Sequence, residues 1–326
     1  MLKHPLLRND YDSRRLRSKI LPPFRLRMLL TLVAAAGLGA LSARAQQNSA
    51  SAALRNNPPG VLKPILPGHY AFTSGTFNSG IIATNEGVVV VDALDSEAVA
   101  RQEREAIASQ IGQPVRFLVS STFHNNYTKG NVAYADVLRI GTENYRTDLL
   151  QLMQHDNVPA EQQTARLPTQ TYRDRVTLYL GGKEIQILYP GRAHTRGDSI
   201  VFIPQDRIVY MSELFFNAQF PYMDDGYGDS WIKALDAAEA LGADMFVPAH
   251  GPIPDSPKDS QEALHSARQI LVELRDAVQA KIARGATEDQ AVAAVKFPQY
   301  ATLRAYDQQK NVAVRRIYKE LKGELP

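Results

Sequence analysis

The most constraining feature of this sequence is the stretch at 117–131, FLVSSTFHNNYTKGN, in which an apolar run gives way abruptly to polar residues. Residues 115–119 are typical of a buried strand, and the Gly130-Asn131 pair predicts the start of a short helix. A loop held at the end of a rigid strand can direct its side chains into a cleft. We therefore expect the functional residues of the chain to be organised around this loop.

The residues before this stretch predict that the loop lies at the edge of a sheet. The four valines at 88–91 have the composition of a strand that is buried on both faces. Residues 96–110 have helical spacing, with Asp95 or Ser96 as the N-cap. A strand–helix–strand unit brings the ends of its two strands to the same sheet edge. Asp92 and the loop at 122–131 are therefore expected to lie side by side.

The rest of the chain alternates between short elements and then becomes helical. The predicted elements are a helix at 142–155, strands at 175–180 and 183–189 around a Gly181-Gly182 turn, strands at 199–203 and 207–211, a helix at 229–241 and a short strand at 245–247. Helices are then predicted at 256–284, 287–295 and 302–321, and the spacing of their apolar residues is typical of core packing.

Three later stretches carry the other candidate residues: PGRAHTRGD at 190–198, VYMSELFF at 209–216 and PAHGP at 248–252. Together with the stretch at 117–131 they resemble the metallo-β-lactamase superfamily. Its signature is His-x-His-x-Asp-His, followed two residues later by Gly, usually as Gly-Asn. On the register set by Gly130-Asn131, His124 takes the place of the second histidine. The first histidine, the aspartate and the last histidine are replaced by Thr122, Asn126 and Tyr127.

The resemblance implies an α/β (α+β) fold, namely a four-layer αββα sandwich over residues 68–255. Residues 256–326 are then a C-terminal helical extension packed on this domain. The resemblance also implies that four side chains converge as metal ligands: His124, His194, Glu213 and His250. His124 and His194 belong to one metal position of the family and His250 to the other, with Glu213 between them.

The number of ligands predicts one zinc ion, or none, instead of the family's pair. The chain has no cysteine, so any metal must be held by histidine, aspartate or glutamate. Three histidines and a carboxylate suffice in type and number for one zinc ion. By the same resemblance, Asp198 supports the loop that carries His194 by hydrogen bonds and does not touch the metal.

Two substituted positions, Asn126 and Tyr127, are the candidate catalytic residues. An asparagine can accept a hydrogen bond or offer a weak oxygen ligand, but it cannot act as a general base. Tyr127 either places a phenol in the cleft, as an acid or a substrate contact, or fills space in the protein. The segment PYMDDGYG at 221–228 is interpreted as either the rim of the cleft or an ordinary surface loop.

The N-terminal 45 residues have the composition of an export signal. They carry nine Lys/Arg and two Asp, then an apolar run at 28–41 and an Ala43-Arg44-Ala45 cleavage site, which predicts an exported, periplasmic or extracellular protein. An uncleaved amphipathic anchor and a twin-arginine signal at Arg14-Arg15 are the alternatives. Residues 46–67 are interpreted as a linker or an extended lead-in strand. The apolar run is too short for a confident membrane span, so no stable span is expected after cleavage.

The charge of the remaining chain excludes one class of partner. Residues 46–326 contain 28 Lys/Arg and 32 Asp/Glu, a net charge of −4, which gives no electrostatic basis for binding nucleic acid. The expected ligand is a small molecule. We expect an atypical one-metal hydrolase of an ester, lactone, amide or phosphoester. The alternative is a non-catalytic, metal-free binding protein on the same scaffold.

Overall fold

The computed structural model describes residues 60–325. The predicted export signal at 1–45 and residues 46–59 lie outside this part of the chain. Between residues 60 and 325, no helix is both long and apolar enough to span a membrane. Residues 46–67 were interpreted as a linker or an extended lead-in strand. The part of this segment that the structure describes contains a strand, Val61–Leu66, which pairs antiparallel with His69–Ser74. The sheet therefore begins before residue 68, where the domain was predicted to start.

The strands of residues 60–325 form one twelve-stranded sheet. They are β1 (Val61–Leu66), β2 (His69–Ser74), β3 (Phe77–Thr84), β4 (Gly87–Val91), β5 (Val115–Val119), β6 (Leu138–Thr142), β7 (Gln170–Tyr172), β8 (Arg175–Leu180), β9 (Lys183–Leu188), β10 (Ile200–Ile203), β11 (Ile208–Phe216) and β12 (Met245–His250). The order is β7-β6-β5-β4-β3-β12-β11-β10-β9-β8, with β2 pairing β1 and β3 off this path.

Eight α-helices lie in the same described residues: α1 (Glu97–Gln110), α2 (Asn125–Thr128), α3 (Glu143–His155), α4 (Ala160–Arg166), α5 (Gly228–Glu239), α6 (Pro257–Ala283), α7 (Glu288–Ala294) and α8 (Tyr306–Leu321). Short 3-10 turns are formed by Lys129–Tyr134, Pro204–Asp206 and Pro298–Tyr300. The side chain of Ser96 accepts a hydrogen bond from the backbone N–H of Val99, so the start of α1 is capped as its sequence predicted.

Alternate residues of the central strands face different cores, which shows that the sheet folds into two layers. In β4, Val88 and Val90 pack with α1, whereas Val89 and Val91 pack against strands of the other half. In β10, Ile200 and Phe202 likewise face α5–α8, whereas Val201 and Ile203 face the first half. Side chains alternate along a strand, so each half of the sheet packs helices on one face and the other half of the sheet on its second face. The layers are therefore ordered helix, sheet, sheet, helix. The predicted αββα class with a helical C-terminal region is confirmed.

One buried carboxyl group of this fold lies outside the loop region and gives a pH prediction. Glu103 of α1 is fully buried, and its two oxygens accept hydrogen bonds from Ser79 of β3 and from the phenol of Tyr134, the latter at 2.7 Å. Burial raises the pKa of Glu103 from 4.5 to about 8. The protonated form is therefore favoured in the folded chain far more than in the unfolded chain.

We expect the free energy of unfolding to depend on pH through Glu103. A folded-state pKa above the unfolded one stabilises the protein fully below pH 4.5, and this contribution is lost as the pH rises through 8, at up to about 1.4 kcal/mol per pH unit. Denaturant unfolding from pH 5 to pH 9 should show Glu103→Gln gaining stability over the wild type by about 2 kcal/mol at the alkaline end. A constant difference between the two proteins across this range would contradict the assignment.

Candidate active site

Strands and the loops that follow them bring the four predicted ligands together. His124 follows β5 and caps α2, His194 lies in the loop between β9 and β10, Glu213 lies in β11, and His250 ends β12. Strands β11 and β12 are parallel neighbours, with Phe216 paired to His250. All four side chains line one cavity of about 380 Å³. Residues separated by as much as 126 positions are thus collected at one edge of the sheet.

Glu213 is the centre of the hydrogen-bond network in this cavity. Its Oε2 lies 2.8 Å from His124 Nδ1 and accepts from the Thr122 hydroxyl at 2.9 Å. Its Oε1 lies 2.9 Å from His250 Nε2 and accepts from the amide of Asn126 at 3.0 Å. The carboxylate is only 2% exposed. Two of the residues that depart from the family signature, Thr122 and Asn126, therefore bind the same carboxylate.

The backbone next to Glu213 is held in an unusual conformation by Asp92. Ser212 and Asp92 are both in the left-handed region, at φ 51° and 67°, which is uncommon for residues with a side chain. Asp92 accepts from the Ser212 hydroxyl at 2.6 Å and from the Ser121 backbone N–H at 2.8 Å. Asp92 therefore ties the residue before Thr122 to the residue before Glu213, and strain of this kind is concentrated at functional sites.

Three of the predicted ligands have the spacing of a zinc site. His124 Nδ1, His194 Nε2 and Glu213 Oε2 lie 2.8, 3.1 and 3.4 Å apart in pairs, and the three residues form a candidate metal-binding group. Zinc holds its ligands at 2.0–2.1 Å in a tetrahedron, which places neighbouring ligand atoms about 3.3 Å apart. The donor types and their separations thus fit zinc. His250 does not belong to this group, because it contacts the opposite oxygen of Glu213.

His124 is oriented by a second carboxylate that the sequence did not single out. Its Nε2 lies 3.0 Å from Asp225 Oδ2, in the loop at 221–228. Ligand histidines commonly donate their second ring N–H to a carboxylate, which fixes the tautomer and leaves the other nitrogen for the metal. The interpretation of 221–228 as a cavity rim agrees with this contact, because Tyr222, Asp224 and Asp225 all line the cavity.

The two candidate catalytic residues face different surroundings. Asn126 lines the cavity, and with its amide N–H engaged by Glu213 its carbonyl oxygen is the group that remains to accept a hydrogen bond. Tyr127 is fully buried, and its phenol donates to the backbone oxygen of Ala249 at 2.6 Å. Its ring packs edge-on against His250 at 5.5 Å. Of the two predicted roles, the structure gives Tyr127 the packing role behind His250.

The electrostatics of the site favour an ionised Glu213. Burial alone would raise the pKa of Glu213, but the imidazoles of His194 and His124 outweigh burial and hold this pKa well below its usual range. Burial would likewise lower the pKa of His124, yet Glu213 and Asp225 together raise it to about 10. The pKa of His250 is lowered, because burial exceeds the effect of its single carboxylate partner.

Aromatic rings pack against two of the candidate histidines. Phe216 is stacked on His250 at 4.5 Å between ring centroids, and Trp231 lies 5.0 Å from His194. Trp231 is the chain's only tryptophan.

The predicted support residue Asp198 accepts hydrogen bonds from the backbone N–H of Thr195 at 2.7 Å and from the Thr195 hydroxyl at 2.6 Å. The His194 loop is therefore fixed by its own hydrogen bonds, as the resemblance implied.

The C-terminal extension also contributes to the cavity, which the sequence did not predict. Arg304, between α7 and α8, lines the cavity together with residues of the αββα domain. Gln309 of α8 accepts from the backbone N–H of Met223 and donates to Asp224, both at 3.0 Å. Arg316 donates to the backbone oxygen of Gly226 at 3.0 Å. Helix α8 therefore holds the rim loop that carries Asp225.

Comparison with known proteins places this geometry in a family. A profile of the metallo-beta-lactamase superfamily matches residues 75–250. The chain is similar to the 2,4-dinitroanisole O-demethylase subunit alpha of Nocardioides sp. (strain JS1661), at 25% identity over 59% of this chain and 58% of that one, so it spans little more than half of that relative. It is also similar to the metallo-beta-lactamase type 2 of Elizabethkingia meningoseptica, at 25% identity over 64% of this chain and 81% of that one.

A solved structure shows the same fold. The stereoselective inverting sec-alkylsulfatase Pisa1 from Pseudomonas sp. superimposes with a TM-score of 0.64 at 16% sequence identity, over 80% of this chain and 50% of that one. The match extends over more of this chain than the family profile does. At this level of identity, the likeness concerns the fold alone.

Proposed function

Because this chain belongs to the metallo-β-lactamase superfamily, we propose that it is an exported, one-metal hydrolase of a small-molecule ester, lactone, amide or phosphoester. The observation that carries the proposal is the zinc-like spacing of His124, His194 and Glu213. Its curated relatives include an O-demethylase subunit and a β-lactamase, so the fold is used with different substrates. Export is proposed from the composition of residues 1–45.

Each residue of the site has a defined task in this proposal. His124, His194 and Glu213 would hold one zinc ion, which supplies a Lewis acid and a hydroxide nucleophile at neutral pH. Asp225 fixes the orientation of His124. The carbonyl oxygen of Asn126 accepts a hydrogen bond from the nucleophile and orients it, but does not take its proton. His250 holds the second oxygen of Glu213 and so fixes the rotamer of that carboxylate.

Trp231 provides a direct test of metal binding. Because its ring lies 5.0 Å from His194, zinc bound at His194 is expected to change the tryptophan emission. Titration of chelator-treated protein should reach its end point at one zinc per chain, and elemental analysis should agree. His194→Ala should weaken zinc binding about 100-fold and abolish turnover of a panel of esters, lactones, amides and phosphoesters. His265→Ala, at an exposed histidine on α6, should behave as the wild type. Unchanged zinc affinity in His194→Ala would contradict the proposed site.

One observation favours the second candidate, a metal-free binding protein. The carboxylate of Glu213 already has four protein partners, among them Thr122 and Asn126 in place of signature ligands. A buried charge that is satisfied in this way is stable without a metal. The same titration separates the two candidates. No bound zinc at any supplied concentration, together with no turnover on the panel, would support the binding protein.

A further inference from the structure

Arg304 is the one lysine or arginine among the residues that line the cavity. The other charged residues of the wall that the structure describes are acidic or histidine, and each has a side-chain partner. Glu213 is bound by the histidines, Asp225 by His124 and Asp224 by Gln309. Between residues 60 and 325, no carboxylate lies within ion-pair distance of the Arg304 guanidinium. Arg304 therefore lines the cavity, and no carboxylate of residues 60–325 neutralises its charge.

The backbone at Arg304 is held firmly, although its side chain is exposed. Its carbonyl oxygen accepts from the backbone N–H of Phe220 at 3.0 Å, and it forms a parallel bridge with Gln219. The next residue, Ala305, has φ 68° and precedes α8. A residue with a side chain is rarely found in this conformation and persists there only when its surroundings enforce it. The chain thus adopts an unfavourable backbone turn immediately after Arg304.

The wall of the cavity also offers apolar contact. Phe77 and Tyr222 are both half-buried and line the cavity, and Tyr222 lies 6.3 Å from His250 between ring centroids. A small molecule bound in the cavity would therefore find the candidate metal ligands, aromatic rings and an arginine in the same wall. A guanidinium binds carboxylates and other oxyanions through paired N–H donors.

We infer that Arg304 determines substrate specificity by binding an oxyanionic group, such as a carboxylate, that is remote from the bond to be cleaved. The preferred substrates are then monoanionic molecules with an apolar or aromatic middle. The inference rests on the proposed hydrolytic function and adds the substrate class to it. It also assigns a role to the C-terminal extension, which supplies the cation and, through α8, holds the rim loop.

A matched pair of esters tests this inference. 4-Acetoxybenzoate and 4-acetoxybenzamide share the same acetyl ester and differ in the charge at the far end of the ring. The wild type should favour the benzoate about tenfold in kcat/KM, mainly through KM. Arg304→Gln should remove this preference by lowering kcat/KM for the benzoate far more than for the benzamide, and Arg304→Lys should retain part of the preference. Arg284→Gln, at an exposed arginine after α6 that does not line the cavity, is the control with the same charge change.

A binding measurement separates this inference from the proposed activity. Calorimetry with 4-acetylbenzoate and 4-acetylbenzamide, which carry no ester to hydrolyse, should show the anion binding about tenfold more weakly to Arg304→Gln than to the wild type. If neither ester is turned over but this difference is found, hydrolysis of these esters is ruled out and the anion site stands. If Arg304→Gln retains the wild-type ratio of anion to amide in both experiments, or if the wild type shows no preference in either, the inference is overturned.

Discussion

Replacing Glu213 by glutamine is expected to weaken zinc binding on the order of a thousandfold, equivalent to about 4 kcal/mol, and to abolish turnover. The substitution keeps the size of the side chain and removes its charge. The carboxylate is buried, lies within 3.4 Å of two further candidate ligand nitrogens and accepts from Thr122 and Asn126. An amide nitrogen in place of one oxygen would face N–H and O–H donors and could not accept from them.

The stability of the metal-free protein should fall in the same variant. Removing one partner of a buried charge network leaves the other charges without compensation, which destabilises a protein by about 3–5 kcal/mol. Zinc titration followed at Trp231, with denaturant unfolding of the chelated protein, measures both effects. Glu103→Gln, the same change at a buried carboxyl group away from the cavity, should bind zinc as the wild type does. Wild-type zinc affinity in Glu213→Gln would mean that the metal ligands lie elsewhere.

The convergence of the predicted ligands could be expected from the sequence because three of them, His124, Glu213 and His250, lie in strands or follow them. His124 follows β5 and His250 ends β12, and both strands have strong apolar runs. Glu213 lies within β11, a strand that is buried along its length. Parallel pairing of neighbouring strands then brings their ends to one edge. Short motifs that sit at strand ends are therefore predictable in position once the sheet is recognised.

The direction of the Tyr127 side chain could not be predicted from the sequence. Asn126 and Tyr127 are adjacent in α2, and successive residues of a helix point about 100° apart. One side chain therefore reaches Glu213, while the other turns into the core and binds the Ala249 carbonyl. The sequence identified both as substitutions within the signature but gave no means of assigning their directions, since a four-residue helix has too few residues to show a periodic pattern.

Asp225 and Arg304 could not be located from the sequence for a different reason. Both lie in connections between elements, where no apolar period fixes a direction. Their positions depend on tertiary contacts: Asp225 is held by the rim loop that α8 binds, and Arg304 by its bridge to Gln219. Such contacts join residues about 80 to 90 positions apart. The helical extension was predicted from its periodicity, whereas its contribution to the cavity depended on the folded arrangement.

The glycine that set the register of the signature, Gly130, should be among the positions of this chain least tolerant of substitution. A Cβ atom added at Gly130 would lie 1.8 Å from the backbone oxygen of Ala93 and 2.9 Å from the Ala100 side chain. The Gly130 N–H also donates to the Leu94 oxygen at 3.1 Å. Since the obstacle is backbone and not a flexible side chain, relief requires moving the chain that follows β4 away from the loop that carries His124.

Gly130→Ala is therefore expected to lower the free energy of unfolding by about 3 kcal/mol or more and the melting temperature by about 8 °C, and to weaken zinc binding because His124 is displaced. Gly285→Ala is the matched control: Gly285 has φ 76° but open space around it, so the left-handed backbone alone should lower stability by about 1 kcal/mol. Calorimetry and the Trp231 titration measure the two effects. If Gly130→Ala has the melting temperature of Gly285→Ala and binds zinc as tightly as the wild type, the close packing of Ala93 against the His124 loop is refuted. Steric overlap with backbone cannot be relieved without a measurable change in stability or in zinc binding.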